Sequence, residues 1–262
     1  MAVKSDVAPG SGNGQPAGLD ASRAEPAFHV LGKPLRRVDA LGKVTGETRF
    51  ADDLAMPGML HMKFVRSTVP HARILGIDTG KALAYEGVRV VLTGESFPVP
   101  FGILPISQDE HALCPDTVRY VGDPVAAVIA TEELAAEEAA RLVEVRYEPL
   151  TTIGSPEEAL RVAEPRIHGY GDSGNIHKAV ALDFGDVPAA LAGAHLVVED
   201  HFFYQGNTHL PLEQHATLAY MGTDGRLTIA SSTQTPHYLH RAAAKVLGLP
   251  ASRIRITSRP AE

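Results

Sequence analysis

Residues 227–248 read LTIASSTQTPHYLHRAAAKVLG, and three structural signals meet in that run. Leu227, Ile229 and Ser231 alternate with Thr228, Ala230 and Ser232, the period of a two-faced strand. Thr235 then offers an N-cap hydroxyl and Pro236 stands at the first helical position. Leu239, Ala243, Val246 and Leu247 space an apolar face up to Gly248 as the C-terminal cap. Between strand and helix sits Gln234, whose amide carries two donors and one acceptor and lies where the N–H groups of a helix start also point outward. The stretch predicts strand, polar turn and helix, with the turn either a ligand-holding point or an ordinary surface bend.

Immediately upstream, GTDG at 222–225 makes a hairpin turn back to a strand at 216–221. The polar loop GNTHLPLEQH at 206–215 precedes it, and within that loop His209 and Glu213 can form a hydrogen-bonded base and orienter, or a structural pair that pins the loop. Residues 177–184 (HKAVALDF) alternate as a strand, 196–204 (LVVEDHFFY) also read as a strand, and between them Asp186 caps a short helix with Pro188 in its first turn and Gly193 at its end. Residues 156–175 read as a connecting segment. Its GYGDSG matches G-x-G-x-x-G in spelling only, because a strand-like run follows where a dinucleotide site needs a helix.

In the first half, VAAVIA at 125–130 is an apolar run suited to a buried strand. Thr131 caps a helix carrying Glu132 and Glu133 in its first turn, and a strand at 143–147 completes a βαβ-like crossover. Adjacent glutamates on a helix do not face each other, so they serve the helix dipole and not acid-base chemistry. Further strands fall at 60–66, 72–77 and 88–92, and a short one at 48–50 follows turns at Gly42 and Gly46. FPVPFGILPI at 97–106 is an extended loop, having three prolines. Residues 1–28, rich in Gly, Pro, Ser and Ala, read as a disordered leader.

The 262 residues carry 24 Lys+Arg against 31 Asp+Glu, with 44% hydrophobic content, one cysteine and no tryptophan. A net charge of -7 without any basic run argues against nucleic acid as a partner. A single cysteine, Cys114, excludes a disulfide framework, an iron-sulfur cluster or a cysteine zinc site built from this chain, and suits a reducing cytoplasm. Cys114 has no base beside it. His237 and His240 lie at i and i+3 on one helix but lack a third ligand, so no direct metal site is expected. No apolar run has the length of a membrane span.

Taken together, these runs resemble the large, molybdopterin-binding subunit of the xanthine dehydrogenase/aldehyde oxidase molybdenum hydroxylases. The resemblance rests on RVDALGKVTGETRFADD (37–53), RSTVPHARI (66–74), VRYVGDPVAAVIA (118–130) with VRYEPL (145–150), FGDVPAAL (184–191), HLPLE (209–213) and SSTQTPHYLHRAAAKVLGLPASRIRI (231–256). It implies an α+β fold: an α/β hammerhead domain at 29–150, a connecting segment at 151–180 and the first part of a molybdopterin-binding domain at 181–262. By the same resemblance Gln234, with Thr235, approaches the molybdenum cofactor, and His209 and Glu213 line or brace the site. The VPFGILPI and VRYVGDPVAAV runs look most like the α subunit of 4-hydroxybenzoyl-CoA reductase, which implies an aromatic, N-heterocyclic or aromatic acyl-CoA substrate.

The family's glycine-rich G-G-G-F-G segment and its catalytic glutamate are not in these 262 residues. The expectation is therefore a chain without catalytic residues of its own, sharing molybdenum-molybdopterin with a partner that holds the rest of the subunit. Iron-sulfur and flavin (FAD) subunits would carry the electrons. The alternative is a non-catalytic hammerhead fragment serving as an interaction module.

Overall fold

The computed structural model describes residues 28–104, 107–170, 174–208, 210–211 and 213–258. The chain divides at Glu47 and Thr48. In the first unit the described residues form one short helix, α1 (Ala40–Thr45), closed by Gly46 at φ 77°. Gly46 thus acts as a helix cap, whereas Gly42, expected in a turn, lies inside the helix.

The second unit opens with a 3-10 turn (Ala51–Asp53) directly after Phe50. The short strand expected at 48–50 is not formed, since no described strand pairs with it. In chain order follow β1 (His61–Arg66), β2 (Ala72–Asp78), α2 (Gly80–Leu83), β3 (Val88–Thr93), β4 (Thr117–Val118), β5 (Pro124–Ala130), α3 (Glu133–Ala140), β6 (Glu144–Pro149), α4 (Pro156–Arg161), α5 (Val187–Ala192), β7 (Thr217–Met221), β8 (Leu227–Ser231), α6 (Pro236–Leu247) and β9 (Ile254–Ser258). They assemble three sheets, ordered β1-β5-β3, β4-β2-β6 and β7-β8-β9.

β5 is the centre of the first sheet and is buried along most of its length, as its apolar run predicts. Val125 and Val128 are fully buried. α3 packs on β1 and β5 through Ala136 and Ala139, whose small side chains let the helix lie close to the sheet. Its N-cap is Glu132 and not Thr131, because the Thr131 hydroxyl and amide are both committed to the Gly87 carbonyl. Glu133 pairs with Lys63 on β1 at 2.6 Å, so the first-turn glutamate also ties helix to sheet.

The crossover expected across this helix is corrected. β5 pairs antiparallel with β1 and β3, while β6 pairs antiparallel with β2 in the other sheet. The α3 connection therefore passes between sheets and does not return to its own. A parallel crossover does occur, at β8–α6–β9, where β8 and β9 run parallel in register from Leu227 opposite Ile254 to Ser231 opposite Ser258.

The connecting segment contains α4, whose first turn is capped by Ser155 accepting from the Glu158 amide at 3.1 Å. Residues 171–173 of the GYGDSG spelling lie outside the described residues. α5 forms as expected, with Asp186 accepting from the Ala189 amide at 3.0 Å. The strands expected at 177–184 and 196–204 do not form, and every residue from 177 to 208 is exposed. Alternation sets which side chains share a face, but a strand also needs a neighbouring backbone, and no described strand pairs with either segment. The leader at 1–28 falls, apart from Phe28, outside the described residues.

Candidate functional site

The site grows from the β7-β8-β9 sheet. β7 and β8 are antiparallel, joined by the 222–225 turn in which the Gly222 amide donates to the Arg226 carbonyl and Gly225 takes φ 72°. Asp224 in that turn is held below the usual carboxylate range by the Arg226 backbone amide and then by its guanidinium, which rigidifies the end of the hairpin remote from Gln234. At the other end the Ser232 hydroxyl accepts from the Ala216 amide at 3.0 Å, and the Ser232 amide donates to the Ala216 carbonyl. The start of β7 is thereby clamped to the residue after β8.

That clamp brings the 206–215 loop and the Gln234 turn to one end of the hairpin. Because β9 runs parallel to β8, its carboxyl end lies there as well, and the Ser258 hydroxyl donates to the Thr233 carbonyl at 2.7 Å. The Thr235 amide donates to the Thr233 hydroxyl at 3.1 Å, folding the turn under Gln234. Gln234 is exposed, and its amide makes no hydrogen bond among the described residues. The crevice outside the carboxyl ends of parallel strands, at the start of the crossover helix, is the place where α/β sheets take ligands.

Thr235 occupies the N-cap position of α6, but its side chain accepts no capping hydrogen bond. Its hydroxyl faces the Thr233 hydroxyl at 3.5 Å instead, so the cap expected from the sequence is corrected to a position without the bond. Pro236 has no N–H, and the Tyr238 and Leu239 amides donate back to the Thr235 carbonyl at 3.0 and 3.1 Å, so among the described residues only the His237 amide of the first turn is left for another acceptor. Glu213 lies at the same hairpin end, and its Oε1 is buried with no hydrogen-bond partner among the described residues. Leu210, in the same loop, takes φ 41°, an uncommon value for a residue with a Cβ. His209 lies outside the described residues, so only Glu213 of the expected pair is located.

The remaining candidates resolve structurally. The His240 ring bridges the Ala251 and Ile254 carbonyls at 2.9 and 3.2 Å, tying α6 to β9. No cluster of His, Cys, Asp or Glu able to hold a metal occurs among the described residues. The Cys114 thiol is buried and donates to the Thr117 carbonyl at 2.8 Å; burial pushes its pKa up to about 11, which makes it a poor nucleophile. His71 is buried with its ring bonded to the Thr151 carbonyl at 2.7 Å. No helix is long and apolar enough to cross a membrane among the described residues. The contributions of Thr233, Ser258 and β9 were not foreseeable one by one, although the hydroxyl run SSTQT was the available signal.

Residues 45–151 match the family model of the a/b hammerhead domain of aldehyde oxidase and xanthine dehydrogenase, and residues 167–261 match that of the molybdopterin cofactor-binding domain. The large molybdopterin subunit of nicotinate dehydrogenase from Eubacterium barkeri is 42% identical over 231 residues, covering 87% of this chain and 53% of that protein. The molybdenum-binding subunit of xanthine dehydrogenase from Escherichia coli O157:H7 is 37% identical, over 84% of this chain and 30% of its own length. This chain thus spans about half the length of the first and under a third of the second. Among solved structures, the aldehyde oxidoreductase of Desulfovibrio desulfuricans superposes with a TM-score of 0.78 at 26% identity, over 88% of this chain and 27% of that one. Quinoline 2-oxidoreductase of Pseudomonas putida 86 gives 0.75 at 28% identity, over 86% and 29%.

Proposed function

The chain belongs to the aldehyde oxidase and xanthine dehydrogenase family, and from that membership we propose that it is the N-terminal portion of the molybdopterin-binding subunit of a molybdenum-dependent oxidoreductase. The hammerhead domain would extend over 29–150, with the first part of the molybdopterin-binding domain at 181–262. The reading is carried by Gln234: an exposed, unengaged amide on a turn braced by Thr233 and Ser258, at the carboxyl ends of parallel β8 and β9.

The residues present suit one edge of such a cofactor. Holding such a cofactor at this edge would call on hydrogen-bonding groups of the chain, since no cluster able to ligate a metal occurs among the described residues. The turn offers an amide and hydroxyls, and the buried Glu213 Oε1 has no hydrogen-bond partner among the described residues, a group that costs about 1–3 kcal/mol until one arrives. Gln234 and Thr235 would hold the polar edge of the cofactor, and Glu213 with His209 would line the site or brace its loop. When bound, the molybdenum centre supplies the electron exchange with an electron-poor carbon of the substrate. Gln234 orients it by hydrogen bonding, and the α6 start contributes partial positive charge.

The substrate class we propose is an aromatic or N-heterocyclic compound, or an aromatic acyl-CoA as in 4-hydroxybenzoyl-CoA reductase. The remaining part of the subunit would complete the cofactor site, and iron-sulfur and flavin polypeptides would carry the electrons. A cytoplasmic location accords with the single, buried, reduced thiol. The test is a pull-down of the tagged chain from its own cells with molybdenum and iron quantified. Metals arriving with partner polypeptides, and a loss of turnover in that complex for Gln234→Ala with unchanged metal content, are expected. A chain that comes down alone and metal-free overturns the reading in favour of a non-catalytic interaction module.

A further inference from the structure

A second concave site lies away from Gln234. It is a cleft of about 360 Å³ between α6 and the loop that follows β3, within the size range of small-molecule pockets. From α6 it takes Tyr238, Arg241 and Lys245, spaced at i, i+3 and i+7 and so on one helix face. From the loop it takes Phe101, Ile103 and Gln108.

The loop wall is built, not draped. The Phe101 and Glu110 backbones exchange two hydrogen bonds at 2.7 and 3.0 Å, and a Cβ on Gly102 would stand 2.2 Å from the Ser107 carbonyl oxygen. Only glycine lets the two arms of the loop meet there. Lys245 Nζ donates to Gln108 Oε1 at 3.2 Å, joining loop to helix, and the Arg241 guanidinium lies over the Tyr238 ring at 4.6 Å.

Charge identifies the ligand. Two cations converge on this cleft in a chain of net charge -7, and no carboxylate is among its lining residues. Neither cation has a salt-bridge partner among the described residues. The nearest acidic side chain in sequence to Gln108, Asp109, is engaged by His168 at 2.7 Å. Phe101, Ile103 and the Tyr238 ring supply an apolar, partly aromatic wall beside those charges. A guanidinium and an ammonium without a salt bridge among the described residues, next to such a wall, suit a flat molecule with an anionic end. We infer that the cleft between α6 and the 101–108 loop binds a small aromatic carboxylate. None of the residues assigned to the cofactor edge lines it, so the inference stands apart from the molybdenum reading.

The probe is benzoate, titrated into the full chain with the Arg241 side-chain and Tyr238 ring resonances followed by NMR; benzamide is the neutral control. Benzoate is expected to saturate with a dissociation constant of about 1 mM or below, weakening as salt rises. Benzamide should bind at least tenfold more weakly. Arg241→Gln and Lys245→Gln, both at exposed positions, should each weaken benzoate at least fivefold. Gly102→Ala should weaken it by displacing the loop wall, with the melting curve checking that the fold persists. Equal binding of benzamide, or unaltered benzoate binding in both Arg241→Gln and Lys245→Gln, overturns the inference. So does failure of benzoate where hexaglutamate perturbs the same resonances, which would make the cleft a docking face for an acidic partner.

Discussion

At the scale of single residues, the difference between Gln234 and Cys114 is one of solvent and partners. Gln234 is exposed on a turn whose own hydrogen bonds are all made by its neighbours, so its amide is available at little cost to the fold. Gln234→Ala is accordingly expected to shift the melting temperature of the isolated chain by no more than a surface substitution does, within about 0.5 kcal/mol, while lowering turnover of the assembled complex. Cys114 is the reverse case. Burial raises its thiol pKa from 9.0 to about 11, so between those values the folded chain holds a proton that the unfolded chain has released. The stabilising contribution is complete below about pH 9 and is lost as pH rises through about 11. Urea midpoints measured at about pH 8 and about pH 10.5 should therefore fall more steeply for the native chain than for Cys114→Ala; equal slopes would show that the thiol does not carry the alkaline sensitivity. The low reactivity of Cys114 was legible from its lack of a neighbouring base. The orphaned Glu213 oxygen was not, because burial of one carboxylate atom depends on how the loop folds back, which spacing does not encode.

At the scale of elements, legibility followed how local the determining interactions are. α6 could be read from Pro236, its apolar spacing and Gly248, since all three act within the helix. The left-handed φ of 63° at Gly248 should make Gly248→Ala cost about 1 kcal/mol, measurable in a urea midpoint. β5 could be read because a strand buried on both faces needs apolar side chains at every position. Val128, fully buried at the centre of the β1-β5-β3 sheet, should cost about 2–3 kcal/mol as Val128→Ala, with little change at the β8–α6 turn. The topology around β5 was less legible. A strand-helix-strand run looks the same in sequence whether the second strand returns to its own sheet or, as β6 does, joins another. The parallel partner of β8 was missed for a related reason: IRITS at 254–258 does not name its partner, and only its pairing with Leu227–Ser231 places it as β9.

At the scale of the whole molecule, the exposed stretch at 177–208 carries the argument about assembly. Phe202, Phe203 and Tyr204 are 93%, 88% and 81% exposed, and contiguous apolar exposure of this kind suits an interaction surface. Val197, Val198 and these three aromatics are residue types that favour strands, so what the segment lacks is a backbone partner and not strand propensity. If the remainder of the molybdopterin-binding subunit supplies that partner, main-chain hydrogen bonds would form along 196–204 only in the assembled protein. Hydrogen exchange separates the possibilities. In the isolated chain, amides at 196–204 should exchange at nearly unprotected rates while those of β5 and β8 stay protected. In the complex recovered from cells, protection at 196–204 should rise at least tenfold, and Phe202→Asp with Phe203→Asp should abolish recovery of the partners without altering protection in β5. Unchanged exchange at 196–204 on assembly would place the partner's contact elsewhere on the molecule and remove the strand-pairing account of its docking.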